Sequence, residues 1–583
     1  MLEKVQEDRA RKLQAIRELG IDPYGRRYDT AEPIEAVLKR FDAWEKANPP
    51  PGAAQGQAGP DAAPRRADAA GRLILLRDMG KMMFGHIRDQ SGQMQICLRK
   101  DQEGKSPKGL AEDAWKLAKL LDLGDIVAVQ GELRRTRTGE VTIWADTLTL
   151  LCKSLNPMPE KFHGLQDTQT RYRKRYLDLM TNPGSLETFK KRIAILEIFR
   201  SLLAKRGFVE VETPILQAVY GGAAARPFVT HHNTLDADLF LRISPELYLK
   251  RLLVGGMGKV FEIGPNFRNE GIDTRHNPEF TMMELYQAYA DYEVMMEITE
   301  ELVACSVRGV CKPDMDFCKE ISSAQTEQQE LEVIRKFRGT EQAESYEALL
   351  GPSTEAQRDP NQELDREALA DNAFRRAGRI IRSGGIALRY REQAIDFTPP
   401  WRRATYDELM IEHAGVSMKD GPGARAKARA LGLEESNKDD AVVVDEVFEA
   451  VVEPALAKPD SKGVVYPVFV KDYPAELCPL TRRKSDDPTI ALRFECFCAG
   501  MELANAYTEL NDPAVQEANF RQQLRGEAAN ETMRVMDEDF VNALRQGMPP
   551  AGGLGIGIDR VVMLLTNSTS IRDVVLFPLL RPE

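Results

Sequence analysis

The sequence predicts an α+β protein in which a small β-barrel precedes a larger domain of helices and strands. Short runs with strand character, separated by turn residues, fill the chain from Gly71 to about Lys153. Beyond residue 185, amphipathic helical patterns and alternating strand patterns follow one another. The 583 residues correspond to roughly two to four domains, and the 43% of hydrophobic residues can fill a sizeable core.

Charge and cysteine content narrow the functional classes. The net charge of −11 means that any surface for nucleic acid must be local. The eight cysteines include no C-x-x-C pair, which argues against both a disulfide framework and a zinc site. The charged N-terminus lacks an apolar signal region, and no stretch approaches the roughly 20 apolar residues of a membrane span. We therefore expect a cytoplasmic protein without a membrane segment.

The first 70 residues divide into a helical segment and a linker. In residues 1–47, Leu13 and Ile16 recur at helical spacing before Gly20, which predicts an amphipathic helix that stops there. Residues 48–70 are rich in proline, glycine and alanine, a composition that cannot form a core. We therefore predict a flexible linker between the helix and the strands that follow.

Residues 71–153 are predicted to form a five-stranded barrel of the OB type. Short strands and one internal helix near residues 109–121 give the spacing typical of that barrel. Such barrels often bind single-stranded nucleic acid by stacking bases on exposed aromatic rings. Phe84 and Gln95 lie on adjacent predicted strands, where they would offer a stacking ring and a polar group that reads a base. Without other context, Phe84 is more typical of a core residue.

Two short basic runs are local candidates for an RNA surface. One contains Arg134, Arg135 and Arg137, and the other extends from Arg171 to Arg175. A short basic run more often forms a solvated face, so both interpretations stay open.

A connector at residues 154–184 leads into the larger domain, residues 185–583. A polar stretch at about 316–397, rich in Glu, Gln and Arg, interrupts this domain. We predict a surface insertion that is helical in part, notably at 363–382 before Gly384. The sequence does not indicate its role.

The larger domain opens with a long amphipathic helix that feeds a strand. Ile195, Phe199 and Leu203 share one helical face, Gly207 ends the helix, and an alternating strand stops at Pro214. The same arrangement is common in plain architecture, so by itself it indicates no function.

A strand, a polar loop and a returning strand form the next informative segment. Period-two geometry places Phe280, Met282, Glu284 and Tyr286 on one face of the returning strand. A carboxylate on an inward face is costly unless it is paired. Glu284 therefore requires either a cationic ligand or an internal Arg or Lys partner.

Cationic side chains cluster in and beside that loop. Arg268 and Glu270 share a face near the end of the first strand, and Arg275 and His276 follow in the loop. Such cations can hold the phosphates of a nucleotide and stabilise charge that moves during group transfer. An internal salt-bridge network would explain the same residues.

The C-terminal part supplies a second set of inward-facing groups. Asn505, Tyr507 and Glu509 point the same way along one strand. A carboxylate beside an aromatic ring suits a long amine with an aliphatic stem. Glu495 and Glu502 remain as oxygen ligands for Mg²⁺, which normally binds through one or two carboxylates together with substrate phosphates.

The segment GGLGIGIDRVVMLL closes this part of the chain. It places small residues on a strand and the pair Asp559 and Arg560 at the start of a helix. The backbone of such a strand can approach a flat ligand closely. Tight packing of strand and helix would explain the glycines equally well.

Taken in order, these segments resemble the class II aminoacyl-tRNA synthetases. The resemblance rests on the helix, strand and Pro214, on FRNE followed by RHNPEF, and on GIGIDR near the C-terminus. More narrowly, KFHGLQDTQTRYRKRYLDL, GGAAARPF, PELYLKR and NAYTELND are similar to lysyl-tRNA synthetases, which share an N-terminal OB domain with the aspartyl and asparaginyl enzymes. The resemblance covers nearly the whole chain except 48–70 and 316–397. It implies a catalytic domain built on an antiparallel sheet flanked by helices.

The resemblance also implies roles for the residues at matching positions. Catalytic roles would fall to Arg268, His276 and Arg560. Lysine would be bound by Gly222, Glu246, Arg268, Glu284, Tyr286, Asn505, Tyr507 and Glu509. ATP would be bound by Arg268, Glu270, His276, Phe280 and Arg560. Magnesium would be held by Glu495 and Glu502, and the anticodon would be read by Arg77, Phe84 and Gln95.

The implied reaction is the two-step charging of tRNA(Lys). ATP and L-lysine would give lysyl-adenylate and pyrophosphate, with Mg²⁺ as cofactor. The 3′-terminal ribose hydroxyl of the tRNA would then attack the adenylate. In this family the first motif helix normally forms a homodimer interface, so a homodimer is expected.

Three other functions stay open at this point. The lysine ligase that modifies elongation factor P resembles the catalytic domain but lacks the barrel. A catalytically idle protein that binds RNA or regulates a partner would be expected to lack charged motif residues such as Arg268, Glu502 or Arg560, all of which are present. Specificity for aspartate or asparagine would require a cation where this chain has Glu284 and Glu509.

Overall fold

The computed structural model divides the chain into two compact units, Met1–Leu165 and Gln166–Glu583. It describes residues 2–25, 27–48, 66–104, 106–159, 165, 167–223, 225–338, 373–525 and 536–581. In these ranges no helix is long and apolar enough to cross a membrane.

The first unit is a closed barrel with helices packed on its core. Its elements are α1 (Leu2–Glu18), α2 (Ile34–Ala47), β1 (Arg66–Asp78), β2 (Met82–Arg88), β3 (Gln93–Arg99), α3 (Glu112–Lys119), β4 (Ile126–Arg135) and β5 (Val141–Cys152). The strands close in the order β1-β2-β3-β5-β4. Ile16 of α1 and Val37 of α2 are buried in the same cluster as the barrel interior. The predicted five-stranded barrel with an internal helix is confirmed.

The predicted linker is wrong at its C-terminal end, because β1 already begins at Arg66. Ala67 and Ala69 alternate into the barrel interior and pair with Gly131 and Val129 of β4. In the sequence these alanines had the composition of a linker, whereas in the structure their small side chains fit the crowded space between β1 and β4. Gly131 shows the crowding, since a Cβ there would lie 2.0 Å from the Trp144 carbonyl oxygen. Residues 49–65 of the predicted linker lie outside the described residues.

The second unit combines a large sheet with helices. Its first elements are α4 (Thr168–Arg173), α5 (Arg175–Thr181), α6 (Pro183–Lys205), β6 (Val209–Glu210), β7 (Leu216–Gln217), β8 (Val229–His232), β9 (Ala237–Leu241), α7 (Glu246–Val254), β10 (Lys259–Phe267), β11 (Glu279–Ala288), α8 (Tyr292–Val310), α9 (Lys312–Ile321) and α10 (Glu327–Arg338). Later strands are β12 (Ala387–Tyr390), β13 (Gln393–Asp396), β14 (Arg402–Thr405), β15 (Val464–Val465), β16 (Val468–Pro474), β17 (Ile490–Cys498), β18 (Met501–Thr508) and β19 (Ala551–Gly557). Later helices span Ala373–Arg382, Tyr406–Leu409, Gly421–Leu431, Asp440–Val447, Glu453–Leu456, Pro513–Arg525, Glu538–Gly547, Ile558–Leu565 and Ile571–Val574.

Within the described residues, eight strands form the main sheet in the order β14-β16-β17-β18-β19-β11-β10-β6. The neighbouring strands from β16 to β10 pair antiparallel, which confirms the expected antiparallel sheet. At the two edges, β14 pairs in parallel with β16, and β6 pairs in parallel with β10. The predicted face of α6 packs on this sheet, since Ile195, Phe199 and Leu203 are fully buried. The helix ends at Lys205, and Gly207 turns the chain with a φ of +82°.

The stretch 316–397 is only partly the surface insertion that the sequence predicts. Its last part, β12, β13 and the residue that follows β13, places Leu388, Tyr390, Ile395 and Phe397 in the main hydrophobic core. The polar composition concealed these apolar positions because they alternate with charged residues. A helix spans Ala373–Arg382, as predicted for that part of 363–382, whereas residues 339–372 lie outside the described residues.

Two residues of the second basic run form ion pairs inside the domain, whereas Arg173 and Lys174 are exposed. Arg175 is 1% exposed and its guanidinium lies 2.7 Å from Asp178. Arg171 reaches the same carboxylate at 2.8 Å. In the first run, Arg134 pairs with Glu132 at 2.9 Å. The ion pairs neutralise the charges of Arg134, Arg171 and Arg175, so a contact with phosphates is left as a prediction for the exposed members of the two runs.

Candidate active site

The register of the main sheet aligns the predicted site residues in two rows. Glu284 on β11 pairs with Gly555 on β19, Gly555 with Asn505 on β18, and Asn505 with Glu495 on β17. Since side chains two residues apart share a face, the adjacent row faces the same side. That row consists of Tyr286, Gly553, Tyr507 and Arg493. The glycines of β19 thus leave open space between polar side chains of the neighbouring strands.

Three buried carboxylates converge beside these rows. Glu284 is 5% exposed, and its oxygens lie 3.0 and 3.1 Å from the hydroxyl of Ser244. The backbone N–H of Glu246 donates to that hydroxyl at 3.0 Å, which places Glu246 close to Glu284. The ammonium of Lys250 lies 2.6 Å from Glu246 and 2.5 Å from Glu509. We call Glu246, Glu284, Glu509 and Lys250 the carboxylate pocket.

Burial makes two of these carboxylates, Glu284 and Glu509, unusually basic. It raises the pKa of Glu284 to about 7, and the negative charge of Glu246 adds to the effect, while Ser244 and Arg268 oppose it. Burial also raises the pKa of Glu509 to about 8, although the ammonium of Lys250 opposes the shift. Near neutral pH the pocket therefore holds protons that an incoming cation would displace.

Three glycines keep the pocket open. Gly222 has a φ of +87°, and a Cβ there would lie 2.9 Å from the Cβ of Glu246. A Cβ on Gly553 would lie 2.0 Å from Glu509 Oε1 and 2.5 Å from Tyr286 Cε1. A Cβ on Gly555 would lie 3.1 Å from a side-chain atom of Met282. Gly222 and Gly553 are thus required by space, and Gly222 by its backbone conformation as well.

Arg268 lies at the end of β10 with no ion-pair partner among the described residues. Its guanidinium carbon is 5.1 Å from the centre of the Phe280 ring, and its buried Nε has no hydrogen-bond partner in that part of the chain. The positive charge of Arg268 favours the ionised form of Glu284 and so opposes the rise of its pKa. A half-buried, unpaired guanidinium beside an aromatic face suits an anionic group on a planar ligand.

The loop between β10 and β11 is held by its own hydrogen bonds. Asp273 accepts hydrogen bonds at 2.6 and 2.8 Å from the backbone N–H groups of Arg275 and His276, and its other oxygen lies 2.8 Å from His276 Nδ1. Burial opposes ionisation, but these hydrogen bonds outweigh it and lower the pKa of Asp273 to about 2. Arg275 donates to the carbonyl of Gly500 at 2.8 Å. Glu270 is exposed on this loop.

Arg560 links this loop to β18. Its guanidinium donates to the carbonyl and carboxylate of Glu502 at 2.9 and 3.1 Å and lies 3.4 Å from His276 Nε2. The preceding Asp559 has a different environment, because it is buried, pairs with Arg192 at 2.5 Å and accepts from the Thr281 N–H at 2.7 Å. Asp559 therefore anchors the helix, whereas Arg560 projects toward the loop.

Glu495 is half-buried and held by neighbouring side chains. Its carboxylate pairs with Arg493 and accepts hydrogen bonds from Tyr473 at 3.0 Å and Asn505 at 3.2 Å. Burial raises its pKa to about 7, Arg493 opposes the shift, and the charge of Glu502 adds to it. In the described ranges, no group of three or more His, Cys, Asp or Glu side chains is arranged to hold a metal ion. Protein groups alone would therefore leave a cation with few ligands.

Several residues at the site were missed by reasoning from the sequence. Lys250 and Ser244 complete the carboxylate pocket, and Arg493 lies over the rings of Tyr473 and Tyr507 at 4.7 and 5.6 Å. The spacing of Glu246 and Lys250 was a signal, since it matches an i, i+4 ion pair on a helix. No local pattern marks Arg493, whose position depends on strand register.

The barrel of the first unit groups the predicted base-reading residues on its outer face. Phe84 is half-buried, and its ring contacts that of Trp144 edge to face at 6.2 Å. Gln95 donates to Glu140 at 2.6 Å and accepts from Thr142 at 2.7 Å. The contact of Phe84 with a second outer-face ring favours a surface role over the core role left open by the sequence.

Arg77 is exposed on the same face. It pairs with Phe84 across β1 and β2. His86 lies beside Gln95 across β2 and β3, and its Nε2 is 2.7 Å from Glu140. The outer-face patch therefore combines a cation, aromatic rings and polar groups.

Both units are similar to known protein families. The family model described as tRNA synthetases class II (D, K and N) matches residues 167–581. The model of the OB-fold nucleic acid binding domain matches residues 69–151. The lysine–tRNA ligase of Pelotomaculum thermopropionicum is 42% identical over 582 residues, which cover 99% of this chain and 94% of the relative. Those of Moorella thermoacetica and Staphylococcus aureus are 43% and 40% identical, each covering 99% of this chain and 97% and 98% of the relative.

Proposed function

The chain belongs to the class II tRNA synthetases of the D, K and N group, and we propose that it is a lysine–tRNA ligase that charges tRNA(Lys). The observation that carries this specificity is the charge of the carboxylate pocket. The pocket contains three carboxylates and one ammonium, that of Lys250, so the ionised pocket has a balance of two negative charges. L-lysine brings two ammonium groups.

The rival substrates of this family do not fit that balance. Aspartate and asparagine would place an acidic or neutral side chain next to Glu284 and Glu509, where the cation in contact with the pocket, Lys250, already pairs with two carboxylates. Burying a carboxylate against unpaired carboxylates is strongly unfavourable. We assign the ε-ammonium of lysine to Glu284, Tyr286 and Glu509, and its α-amino side to Gly222 and Glu246.

The chemistry of activation needs no protein nucleophile. An oxygen of the lysine carboxylate forms a bond to the α-phosphorus of ATP, the bond to the β-phosphate oxygen breaks, and pyrophosphate leaves. Arg268 would hold both the lysine carboxylate and the α-phosphate, since its guanidinium has no protein counter-ion in the described residues. Positioning and neutralisation of charge supply most of the acceleration.

ATP would lie across the end of β11. Phe280 and Arg560 would flank the adenine, while Arg560 and His276, which lie 3.4 Å apart, would reach the terminal phosphate. We place Glu270 near the nucleotide as well. In the second step the 3′-terminal ribose hydroxyl of the tRNA attacks the carbonyl carbon of the adenylate, and AMP leaves.

Mg²⁺ fits this site only together with the nucleotide. Glu495 and Glu502 repel each other electrostatically, which marks a place where a cation would be stabilised. Two carboxylates plus phosphate oxygens match the usual coordination of Mg²⁺. Once bound with ATP, the ion would neutralise phosphate charge. The chain's own part is to hold the two carboxylates, through Arg493 and Tyr473 for Glu495 and through Arg560 for Glu502.

The barrel would bind the anticodon. Phe84 would stack on a base, Gln95 would exchange its partner Glu140 for a base edge, and exposed Arg77 would contact the backbone or a base. We also propose a homodimer. Exposed apolar side chains follow α6, notably Val209, Leu216 and Val229, as expected for a surface that a second copy covers.

The experiment that tests the proposal is ATP–pyrophosphate exchange with Mg²⁺, run with each of the standard amino acids. We expect exchange with lysine alone, and loss of exchange in Arg268→Ala. Exchange with aspartate or asparagine, or with no amino acid, would reject the proposal.

A further inference from the structure

Lys250 is the buried cation counted in the charge of the carboxylate pocket, and none of the contacts to lysine or ATP proposed above is assigned to it. Its side chain is fully buried, and its ammonium bridges Glu246, one turn earlier on α7, and Glu509, just beyond β18. If Lys250 served only to hold α7 to the sheet, one carboxylate on the sheet side, Glu509, would be sufficient as its partner. Here one ammonium contacts two carboxylates, and the Ser244 hydroxyl links the third, Glu284, to the backbone N–H of Glu246.

Among the described residues, the two arginines near Glu284 make no ion pair with the pocket carboxylates, although their charges act on Glu284. Arg242 pairs with Glu262, and Arg268 lies against the Phe280 ring. Burial raises the pKa of the Tyr286 and Tyr507 hydroxyls, so both rings stay neutral. With Lys250 the ionised pocket carries two negative charges, and without it three.

Lys250 also fixes the direction of Glu509. Its ammonium lies 2.5 Å from Glu509 Oε2, whereas Oε1 has no hydrogen-bond partner in the described residues. Oε1 points toward Gly553, because a Cβ there would lie 2.0 Å from it. Glu509 therefore offers the substrate one free, oriented oxygen in the open space beside Tyr286.

We propose that Lys250 is a specificity-determining residue of this pocket, whose fixed ammonium fills one of three cation positions and leaves two for the two ammonium groups of the substrate. The inference rests on the proposed function. In this arrangement Lys250 does not touch the reacting atoms. It sets the number of positive charges that the pocket accepts and the orientation of one carboxylate that accepts them.

The test is calorimetric titration of the full-length protein with L-lysine near pH 7, in two buffers that differ in heat of ionisation. This pair of measurements gives the number of protons released on binding. The variant is Lys250→Met, which keeps the length of the side chain without its charge. The matched control is Lys259→Met on β10, whose ammonium donates to the Arg206 carbonyl outside the pocket.

We expect Lys250→Met to release about one proton more than wild type, because an extra negative charge makes the remaining carboxylates hold protons more tightly. Its affinity for lysine should fall roughly tenfold or more, and the loss should shrink as the pH rises. Lys250→Arg should restore the wild-type proton number even if the larger side chain lowers affinity. Lys259→Met should match wild type.

An unchanged proton number in Lys250→Met, with an affinity loss that is constant with pH, would overturn the proposal and leave Lys250 a packing role. If that variant does not fold, Lys250→Met combined with Glu246→Gln restores the balance of two charges and should release the wild-type number of protons. A proton number in this double variant that differs by one from the wild-type number would then overturn the proposal. Failure of the wild-type protein to bind lysine at all would instead reject the proposed function.

Discussion

Gly553→Ala should close the space in which the side chain of the substrate is held. The new Cβ would lie 2.0 Å from Glu509 Oε1 and 2.5 Å from Tyr286 Cε1, both far inside contact distance. Neither neighbour can withdraw easily, because Glu509 is tied to Lys250 and Tyr286 lies on a central strand. Overpacking of this kind costs about 1–3 kcal/mol. If that cost falls on the lysine-bound state, KM for lysine rises about 5- to 150-fold.

The assay is lysine-dependent ATP–pyrophosphate exchange, with KM measured separately for lysine and for ATP. KM for ATP should change much less, because the nucleotide residues Phe280 and Arg560 do not contact Gly553. Gly258→Ala is the matched control, since a Cβ there meets nothing within 4 Å. A folded Gly553→Ala protein with the wild-type KM for lysine would refute the placement of the pocket.

Three further outcomes follow from the same geometry. Glu284→Gln should raise KM for lysine by about 10- to 100-fold, as expected for loss of a charged hydrogen bond, and a wild-type KM in exchange would contradict the role of Glu284. Affinity for lysine should increase as the pH rises through about 7 and 8, because only ionised carboxylates attract ammonium and the pKa values of Glu284 and Glu509 are raised to about 7 and about 8. A lysine affinity that is constant between pH 6 and 9 in equilibrium binding would contradict this. Phe84→Ala should weaken tRNA binding by about 1–3 kcal/mol in filter-binding measurements while exchange stays at the wild-type rate, and loss of exchange would contradict the separation of the two tasks.

Local periodicity was enough to predict which side chains share a face. Strand alternation places Glu284 with Tyr286, and Asn505 with Tyr507, and the register of the sheet brings these pairs into adjacent rows. Register itself cannot be read from one sequence, because it depends on pairing between distant segments. For that reason the opposition of Gly553 to Tyr286 was not predicted.

Burial was the second property that the sequence could not supply. Glu246 and Lys250 have the spacing of an ordinary surface ion pair, yet both are buried because α7 packs against β11 and Glu509. Conversely, Ala67 and Ala69 had the composition of a linker but lie inside the barrel. In both cases tertiary packing decided the environment of residues whose local pattern was ambiguous.

The most direct measurement is the kcat/KM of the wild-type protein in ATP–pyrophosphate exchange for L-lysine and for 6-hydroxy-L-norleucine, which has a hydroxyl in place of the ε-ammonium. The two compounds have nearly the same shape, so the comparison isolates the charge that the carboxylate pocket selects. We expect lysine to be preferred by at least about 100-fold, since two buried carboxylates lose a charged partner. Equal use of the neutral analogue would contradict selection of the substrate by the charge of the carboxylate pocket.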